Sequence, residues 1–169
     1  MTVALPGQLT ETRRPVQFPS PKESFDVTPI QVDLIRASWA KVEPIQELAA
    51  SLFYDRLFEA DPSLRPLFGH TDMPKQRKVL MQTLTVVVKS IDRIEQLLPA
   101  VQALGRRHAG YGVRPEYYDT VGAALLWTLE QGLGPDFDEP TREAWATAYG
   151  VLASVMIDAS DDVEEASAA

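Results

Sequence analysis

Apolar residues recur every three or four positions from about residue 28 to residue 158, and this spacing restricts the fold more than any other feature. The first such segment starts at Thr28 and Pro29, a capping residue and a proline suited to the first helical position. Its apolar face comprises Val32, Ile35, Trp39 and Val42. No useful stretch alternates between apolar and polar residues as a half-buried strand would. The sequence therefore predicts an all-α protein of six to eight helices.

Prolines and glycines divide the rest of the pattern into further helices. These are predicted from residue 44, over a short turn at 62–68, and then at 74–91, at 93–110, from residue 115, and at 141–158. The helix at 93–110 should stop at Gly110 or Gly112. The helical domain then covers residues 28–158. It lies between a disordered, proline-rich tail at 1–27 and an acidic tail at 159–169.

Length and charge exclude several classes of protein. The 169 residues fit one domain, no run of 18 apolar residues predicts a membrane span, and the N-terminus does not resemble a signal peptide. The absence of cysteine excludes disulfides and thiolate sites and fits a reducing compartment, so we expect a cytoplasmic protein. A net charge of −8 argues against a nucleic-acid-binding protein, which needs a basic face.

His108, one of the two histidines, lies on the apolar seam of its predicted helix. The seam has helical spacing and comprises Leu97, Val101, Leu104, His108 and Tyr111. Arg106 and Arg107 flank the histidine and should point outward. An inward imidazole needs a hydrogen-bond partner or a metal ion. The spacing alone therefore leaves two interpretations open, a histidine satisfied in the core and a histidine that holds a ligand.

Two more polar residues lie on predicted apolar faces. Tyr54 lies within the apolar arc of the helix that starts at residue 44, and Gln76 begins the apolar stripe of the helix that starts at residue 74. Each has an ordinary explanation, because a buried tyrosine usually bonds a carbonyl and a glutamine near a helix start usually faces solvent. Three inward polar groups on three helices are nevertheless costly unless they share one task.

The stretches that contain these three residues resemble the globin family. The similarity is to single-domain, neuroglobin-like bacterial globins and to the haem domain of flavohaemoglobins. It covers about three quarters of the chain in SLFYDRLFEADPSLRPLF, KQRKVLMQTLTVVV, IEQLLPAVQALGRRHAGYGVRPEYYDTVGAALLWTLEQGLG and AWATAYGVLASVMI. Gln76 and His108 are 32 residues apart, the interval that the family uses between distal and proximal positions. The resemblance implies a globin fold around a haem pocket with non-covalent haem b, since a chain without cysteine cannot form thioether-linked haem c.

The resemblance also implies roles for individual residues. His108 matches the proximal histidine, which is the protein ligand of the haem iron. Tyr54 and Gln76 match distal residues, and each donor should tighten O₂ binding about tenfold if a hydrogen bond contributes roughly 1.5 kcal/mol. Haem-contacting positions match Phe68, Leu80, Val113 and Tyr118, and the apolar slot also needs residues such as Leu84, Leu104 and Val121. His70 is too far from His108 for the distal position and should lie at the surface.

The chain departs from flavohaemoglobins at two points. In those proteins a glutamate of the last helix joins the proximal histidine and a tyrosine through hydrogen bonds. Tyr118 matches the tyrosine, but the glutamate position falls on Ser160, so we expect an incomplete network without strong peroxidase-like activity. The sequence also lacks a Gly-rich dinucleotide loop and room for flavin or nicotinamide domains, so we expect redox turnover to need an external reductase.

Three functions are compatible with the resemblance. The first is reversible binding of O₂, and of NO and CO, at a pentacoordinate iron, for storage, transport or scavenging. The second is a nitric oxide dioxygenase that converts NO to nitrate and depends on the external reductase. The third is a haem-based or haem-free sensor module, against which the presence of both His108 and Phe68 argues, because a haem-free module needs neither.

Overall fold

The protein is all-α, as predicted, in a computed structural model that describes residues 27–168. Within that range six α-helices and four short 3-10 helices follow one another without a strand. None of the helices there has the length and apolar character that crossing a bilayer requires. The predicted N-terminal tail lies outside the described residues except for Val27, which packs against the core.

The helix boundaries follow the predicted ones closely, except at the C-terminus. The α-helices are α1 (Pro29–Val42), α2 (Gln46–Ala60), α3 (Met73–Lys89), α4 (Ile94–Gly110), α5 (Pro115–Leu133) and α6 (Glu139–Ala168). The 3-10 helices are Glu43–Ile45, Pro62–Phe68, Ile91–Arg93 and Gly134–Asp136. Helix α6 does not end near residue 158 but continues through the acidic segment, because no glycine or proline interrupts residues 151–168 and alanine and glutamate favour helix.

Capping side chains explain where α1, α3 and α6 begin. The Thr28 hydroxyl accepts a hydrogen bond from the backbone N–H of Gln31 (3.2 Å), and the Gln31 side-chain oxygen accepts one from the backbone N–H of Thr28 (3.0 Å). The carboxylates of Asp72 and Asp138 each accept one backbone N–H at the starts of α3 and α6. Each cap satisfies an N–H that would otherwise lack a partner, and so fixes the first helical turn.

The helices pack around one core, but two α-helices that follow each other in the chain, α3 and α4, hardly touch. Helix α2 packs against α5 and α3, while α6 packs against α4, α1 and α5. Ile35, Leu126 and Leu129 are fully buried in this core. Helices α3 and α4, which carry Gln76 and His108, make little contact with each other. The fold therefore holds these two side chains on separately supported helices.

Helix α4 lies unusually close to α6 because Gly105 has no side chain. A Cβ atom built on Gly105 would lie 2.6 Å from the Cα atom of Met156 and would overlap the Met156 backbone carbonyl. Non-bonded carbon atoms approach each other only to about 3.5 Å without repulsion. The contact therefore sets the position of α4 three residues before His108.

We predict that Gly105→Ala lowers the free energy of unfolding by about 1–2 kcal/mol. The added methyl group would force the two backbones apart, and this cost exceeds the gain in helix propensity of about 1 kcal/mol. Gly110→Ala is the matched control, because a Cβ atom there meets nothing within 4 Å. Urea denaturation followed by circular dichroism measures both variants. Equal stability of the two would contradict the proposed close packing.

Candidate functional site

His108 lies in the last turn of α4 with one ring nitrogen engaged and the other free. Its Nδ1 atom is 2.8 Å from the Leu104 carbonyl oxygen, so Nδ1 carries the proton and donates it to that carbonyl. Among residues 27–168 no hydrogen bond reaches the other ring nitrogen, Nε2. The bond to Leu104 thus orients the ring and leaves a lone pair on Nε2 for a ligand.

The protonation state of His108 also suits coordination. Burial lowers the pKa of the imidazole, and its hydrogen bond to Leu104 only partly opposes this effect. The positive charge of Arg107 lowers the pKa further. The ring is therefore neutral at pH 7, the form in which histidine binds metals. Arg106 and Arg107 are both exposed, as predicted.

A Schellman motif fixes the backbone directly after His108. The N–H of Val113 donates to the His108 carbonyl, and the N–H of Gly112 donates to the Ala109 carbonyl, both at 3.1 Å. Gly112 has φ +88°, a left-handed conformation that favours glycine. Because α4 ends here, Tyr111 does not continue the apolar seam, and the prediction that it lies there is wrong. Its side chain is 66% exposed, with a ring centroid 6.2 Å from that of His108.

Tyr54 on α2 contacts Gln76 on the neighbouring helix α3. The side-chain nitrogen Nε2 of Gln76 donates to the Tyr54 hydroxyl oxygen at 3.1 Å. Burial raises the pKa of Tyr54, while this hydrogen bond and the charge of Arg77 lower it less strongly, so the phenol stays neutral. Since its oxygen accepts the bond from Gln76, the Tyr54 O–H remains available to donate to a third group.

Aromatic rings surround the Tyr54 side chain. The Phe68 ring, on the 3-10 helix Pro62–Phe68, lies 5.7 Å from the Tyr54 ring at an interplanar angle of 72°. Phe58 lies 5.4 Å from Phe68 and 6.2 Å from Tyr54. Phe58 was not predicted as a site residue, although its position four residues after Tyr54 places it on the same helix face. These rings fix the orientation of the phenol.

The predicted lining residues are large and apolar but only partly covered. Half-buried positions include Phe68, Leu80, Leu84, Leu104, Val113 and Val121. They belong to α3, α4, α5 and the adjoining segments, and they are less buried than the core residues of the same helices. This is the burial expected of side chains that border a slot for a large apolar group. His70 is exposed, as predicted.

The hydrogen-bond network expected around Tyr118 is incomplete. Ser160 is buried, and its hydroxyl donates to the Ile157 carbonyl at 2.7 Å. The nearby carboxylates Asp158, Asp161 and Asp162 are exposed. The Tyr118 hydroxyl is buried without a partner among the described residues, a state that costs about 1–3 kcal/mol. Burial also raises the pKa of Tyr118, so its proton stays on and can be donated.

The residues present fit a haem better than a free metal ion. Among residues 27–168 no group of three His, Cys, Asp or Glu side chains could hold a metal ion. One imidazole does not bind a free ion stably, whereas a porphyrin brings its own nitrogen ligands and needs one axial histidine. The free Nε2 of His108, the half-buried apolar residues and the unpartnered Tyr118 hydroxyl all suit such a group.

An all-α fold with this arrangement of side chains defines the class of the protein. The globin family model matches residues 51–156, and the chain belongs to the globin family. The chain is 30% identical over 136 residues to a flavohemoprotein of Bacillus subtilis and 33% identical over 135 residues to one of Vibrio cholerae. These alignments cover 79% and 78% of this chain but 34% of each relative. The chain thus spans about a third of the length of these curated relatives.

Two solved structures share the fold over most of the chain. A bacterial globin from Campylobacter jejuni has a TM-score of 0.72 at 28% identity, covering 82% of this chain and 99% of the other. An engineered carbene transferase, made from a Rhodothermus marinus protein assigned as a nitric oxide dioxygenase, has a TM-score of 0.76 at 27% identity. That alignment covers 85% of this chain and 100% of the other.

We predict that His108 makes the stability of the protein without haem depend on pH below 6.5. Because burial lowers the pKa of His108 below its ordinary 6.5, the unfolded state binds the proton first. The stabilising contribution of His108 is thus complete above pH 6.5 and is lost as the pH falls toward the lowered pKa. Urea denaturation between about pH 8 and pH 5 measures the effect.

The variants His108→Leu and His70→Gln separate the effect of His108 on the pH dependence of stability from the effect of the carboxylates. The carboxylates are the same in the wild type and in both variants. The loss of stability below pH 6.5 should be smaller in His108→Leu than in the wild type. His70→Gln, which changes the exposed histidine, should behave like the wild type. Identical pH profiles for all three proteins would contradict a buried, neutral His108.

Proposed function

We propose that the chain is a haem globin that reversibly binds O₂, with NO and CO as further gaseous ligands. The free Nε2 atom of His108, held in position by the bond from Nδ1 to Leu104, is the observation that carries the proposal. When bound, the haem supplies an iron that binds diatomic gases. We include haem b in the proposal, because the chain has no cysteine to bond the porphyrin, and a cytoplasmic location.

On the proximal side, His108 is the proposed axial ligand. The proton stays on Nδ1, which donates it to the Leu104 carbonyl, so the ring keeps one tautomer and presents Nε2. The close packing of Gly105 on α6 and the Schellman motif at Val113 fix α4 on both sides of the histidine. The Tyr118 hydroxyl is a further donor without a partner among the described residues.

On the distal side, Tyr54 is the proposed donor to the bound gas, and Gln76 orients it. The two side chains were predicted to donate independently, but the structure bonds them to each other. Removal of Gln76 would release the Tyr54 hydroxyl from its fixed position. The contributions of the two residues to ligand retention should therefore be coupled rather than additive.

Haem binding tests the proposal directly. Wild-type protein loaded with haem should show a Soret band and an oxy spectrum in air after reduction. His108→Ala should lose this spectrum, because no other imidazole lies on α4. The exposed His70→Ala should keep it and serves as the control. The same pigment and the same visible spectrum in His108→Ala would rule out His108 as the axial ligand.

The O₂ dissociation rate tests the distal pair. We expect Tyr54→Phe to raise the rate about tenfold, as loss of one hydrogen bond of roughly 1.5 kcal/mol requires. Gln76→Leu should raise it less, and the double variant should match Tyr54→Phe, since Gln76 acts through Tyr54. Stopped-flow displacement of O₂ by CO measures all four proteins. An unchanged rate in the double variant would show that the distal assignment is wrong.

A nitric oxide dioxygenase is the second candidate, favoured by the similarity to the Rhodothermus marinus structure. Such an enzyme joins NO and O₂ to form nitrate and needs one electron from an external reductase to restore ferrous iron. A single oxidation by NO is common to O₂-binding globins and does not discriminate. Sustained NO consumption with a reductase, at many NO per haem, would favour the enzyme. Consumption that stops at one NO per haem, although O₂ and the reductase are still present, would favour O₂ binding alone.

A further inference from the structure

Basic residues are concentrated in two segments beside the proposed haem site. Residues 62–78 contain a single acidic residue and four basic ones, Arg65, Lys75, Arg77 and Lys78. Residues 104–114 contain no acidic residue and three basic ones, Arg106, Arg107 and Arg114. The intervening residues 79–103 contain two of each sign. We call the seven basic residues the basic rim. It stands out on a chain whose net charge is −8.

Contacts in the structure bring the two segments to the same end of the fold. The turn after α4 touches the 3-10 helix Pro62–Phe68, because a Cβ atom on Gly112 would lie 3.6 Å from the Leu67 side chain. That 3-10 helix and the start of α3 are joined in turn through Tyr54, which contacts both Phe68 and Gln76. The two parts of the basic rim therefore lie beside each other although they are far apart in sequence.

The charges of the basic rim are largely unneutralised. Six of its residues are exposed, and Arg77 is half-buried. Among residues 27–168, Arg114 is the one rim residue with a carboxylate at ion-pair distance, 3.9 Å from Glu116. By contrast, Arg36 and Lys41 elsewhere on the chain pair with Asp92 and Asp136 at 2.7 and 3.0 Å. The rim thus presents free positive charge to a partner.

An exposed aromatic ring lies within the basic rim. Tyr111 stands between Arg107 and Arg114 in the chain, is 66% exposed, and has its ring 6.2 Å from the His108 ring. Tyrosine and arginine are the side chains that contribute most often to protein interfaces. A partner that covers Tyr111 would approach within one side chain of the proposed axial ligand.

We propose that the basic rim and Tyr111 form the docking surface for a small acidic electron-transfer protein that reduces the haem. This inference rests on the proposed function, because a haem globin that turns over needs such a donor. One electron leaves the reduced centre of the donor and converts ferric to ferrous iron, and no atom is transferred. Opposite charge attracts the donor to the rim, while the acidic remainder of the chain repels it from other approaches.

The test uses a reduced plant-type [2Fe–2S] ferredoxin as the acidic donor and the ferric, haem-loaded chain of 169 residues. Lys75→Gln with Arg106→Gln removes one exposed rim charge from each segment. Lys89→Gln with Arg93→Gln is the matched control. It also removes two exposed positive charges, but from the last residue of α3 and the residue directly before α4, away from the basic rim. Stopped-flow spectroscopy measures the second-order reduction rate at low and high salt, and calorimetry measures binding of oxidised ferredoxin.

We expect the rim variant to lose about tenfold in reduction rate and in affinity at low salt, with a weaker salt dependence. The control variant should stay within about twofold of the wild type. Reduction by dithionite should be the same in all three proteins, which shows that the haem itself is unaffected. Equal losses in both variants, no loss in either, or slower dithionite reduction of the rim variant would each overturn the proposal.

Two alternative binding partners of the basic rim can be distinguished by further measurements. Self-association in sedimentation that the rim variant abolishes would assign the rim to a second copy of this chain and overturn the proposal. Competition of ferredoxin binding by a short single-stranded DNA at equal affinity would do so as well. A protein that shows no Soret band would refute the proposed function and the rim's redox role together. A normal Soret band without any rim effect would refute the rim alone.

Discussion

The hydrogen bond from His108 Nδ1 to the Leu104 carbonyl is the interaction on which the site depends. Without it, a buried imidazole could rotate, and either nitrogen could carry the proton. With it, one tautomer is fixed and Nε2 is the atom left for a ligand. Burial keeps the ring neutral, so ligand binding need not displace a proton at pH 7. The contacts of Gly105 and Val113 then fix the segment that carries this ring.

Local sequence patterns predicted the helices and the inward position of three polar residues, because capping and periodicity depend only on near neighbours. The extension of α6 is also explained by helix propensities, but the acidic composition of residues 159–169 led to their interpretation as a tail. The remaining features depend on contacts between distant segments. Periodicity could not show that Gly105 meets Met156, that Gln76 bonds Tyr54, or that the Tyr111 side chain is exposed. How the predicted lining residues surround a haem stays a prediction.

In the proposed function, the surroundings of His108 favour ligand binding over cleavage of an O–O bond. A carboxylate partner would make the imidazole more electron-rich, and electron donation from the axial ligand promotes that cleavage. Here the partner of Nδ1 is a neutral carbonyl, and Ser160 bonds its own helix. The protonated Tyr118 cannot replace a carboxylate, because its hydroxyl is neutral. In the proposed function, Tyr54 is then the main residue that would determine how long a gas stays bound.

The net charge of the chain conceals how its charges are distributed, and the distribution decides which partner fits. A basic rim could attract any polyanion, including a nucleic acid, which the net charge alone argued against. An extended polyanion would have to leave the rim and pass over acidic helices, where repulsion opposes it. A compact acidic protein can cover the rim and stop there. The surface therefore suits a small partner whose reactive centre comes to lie beside Tyr111 and His108.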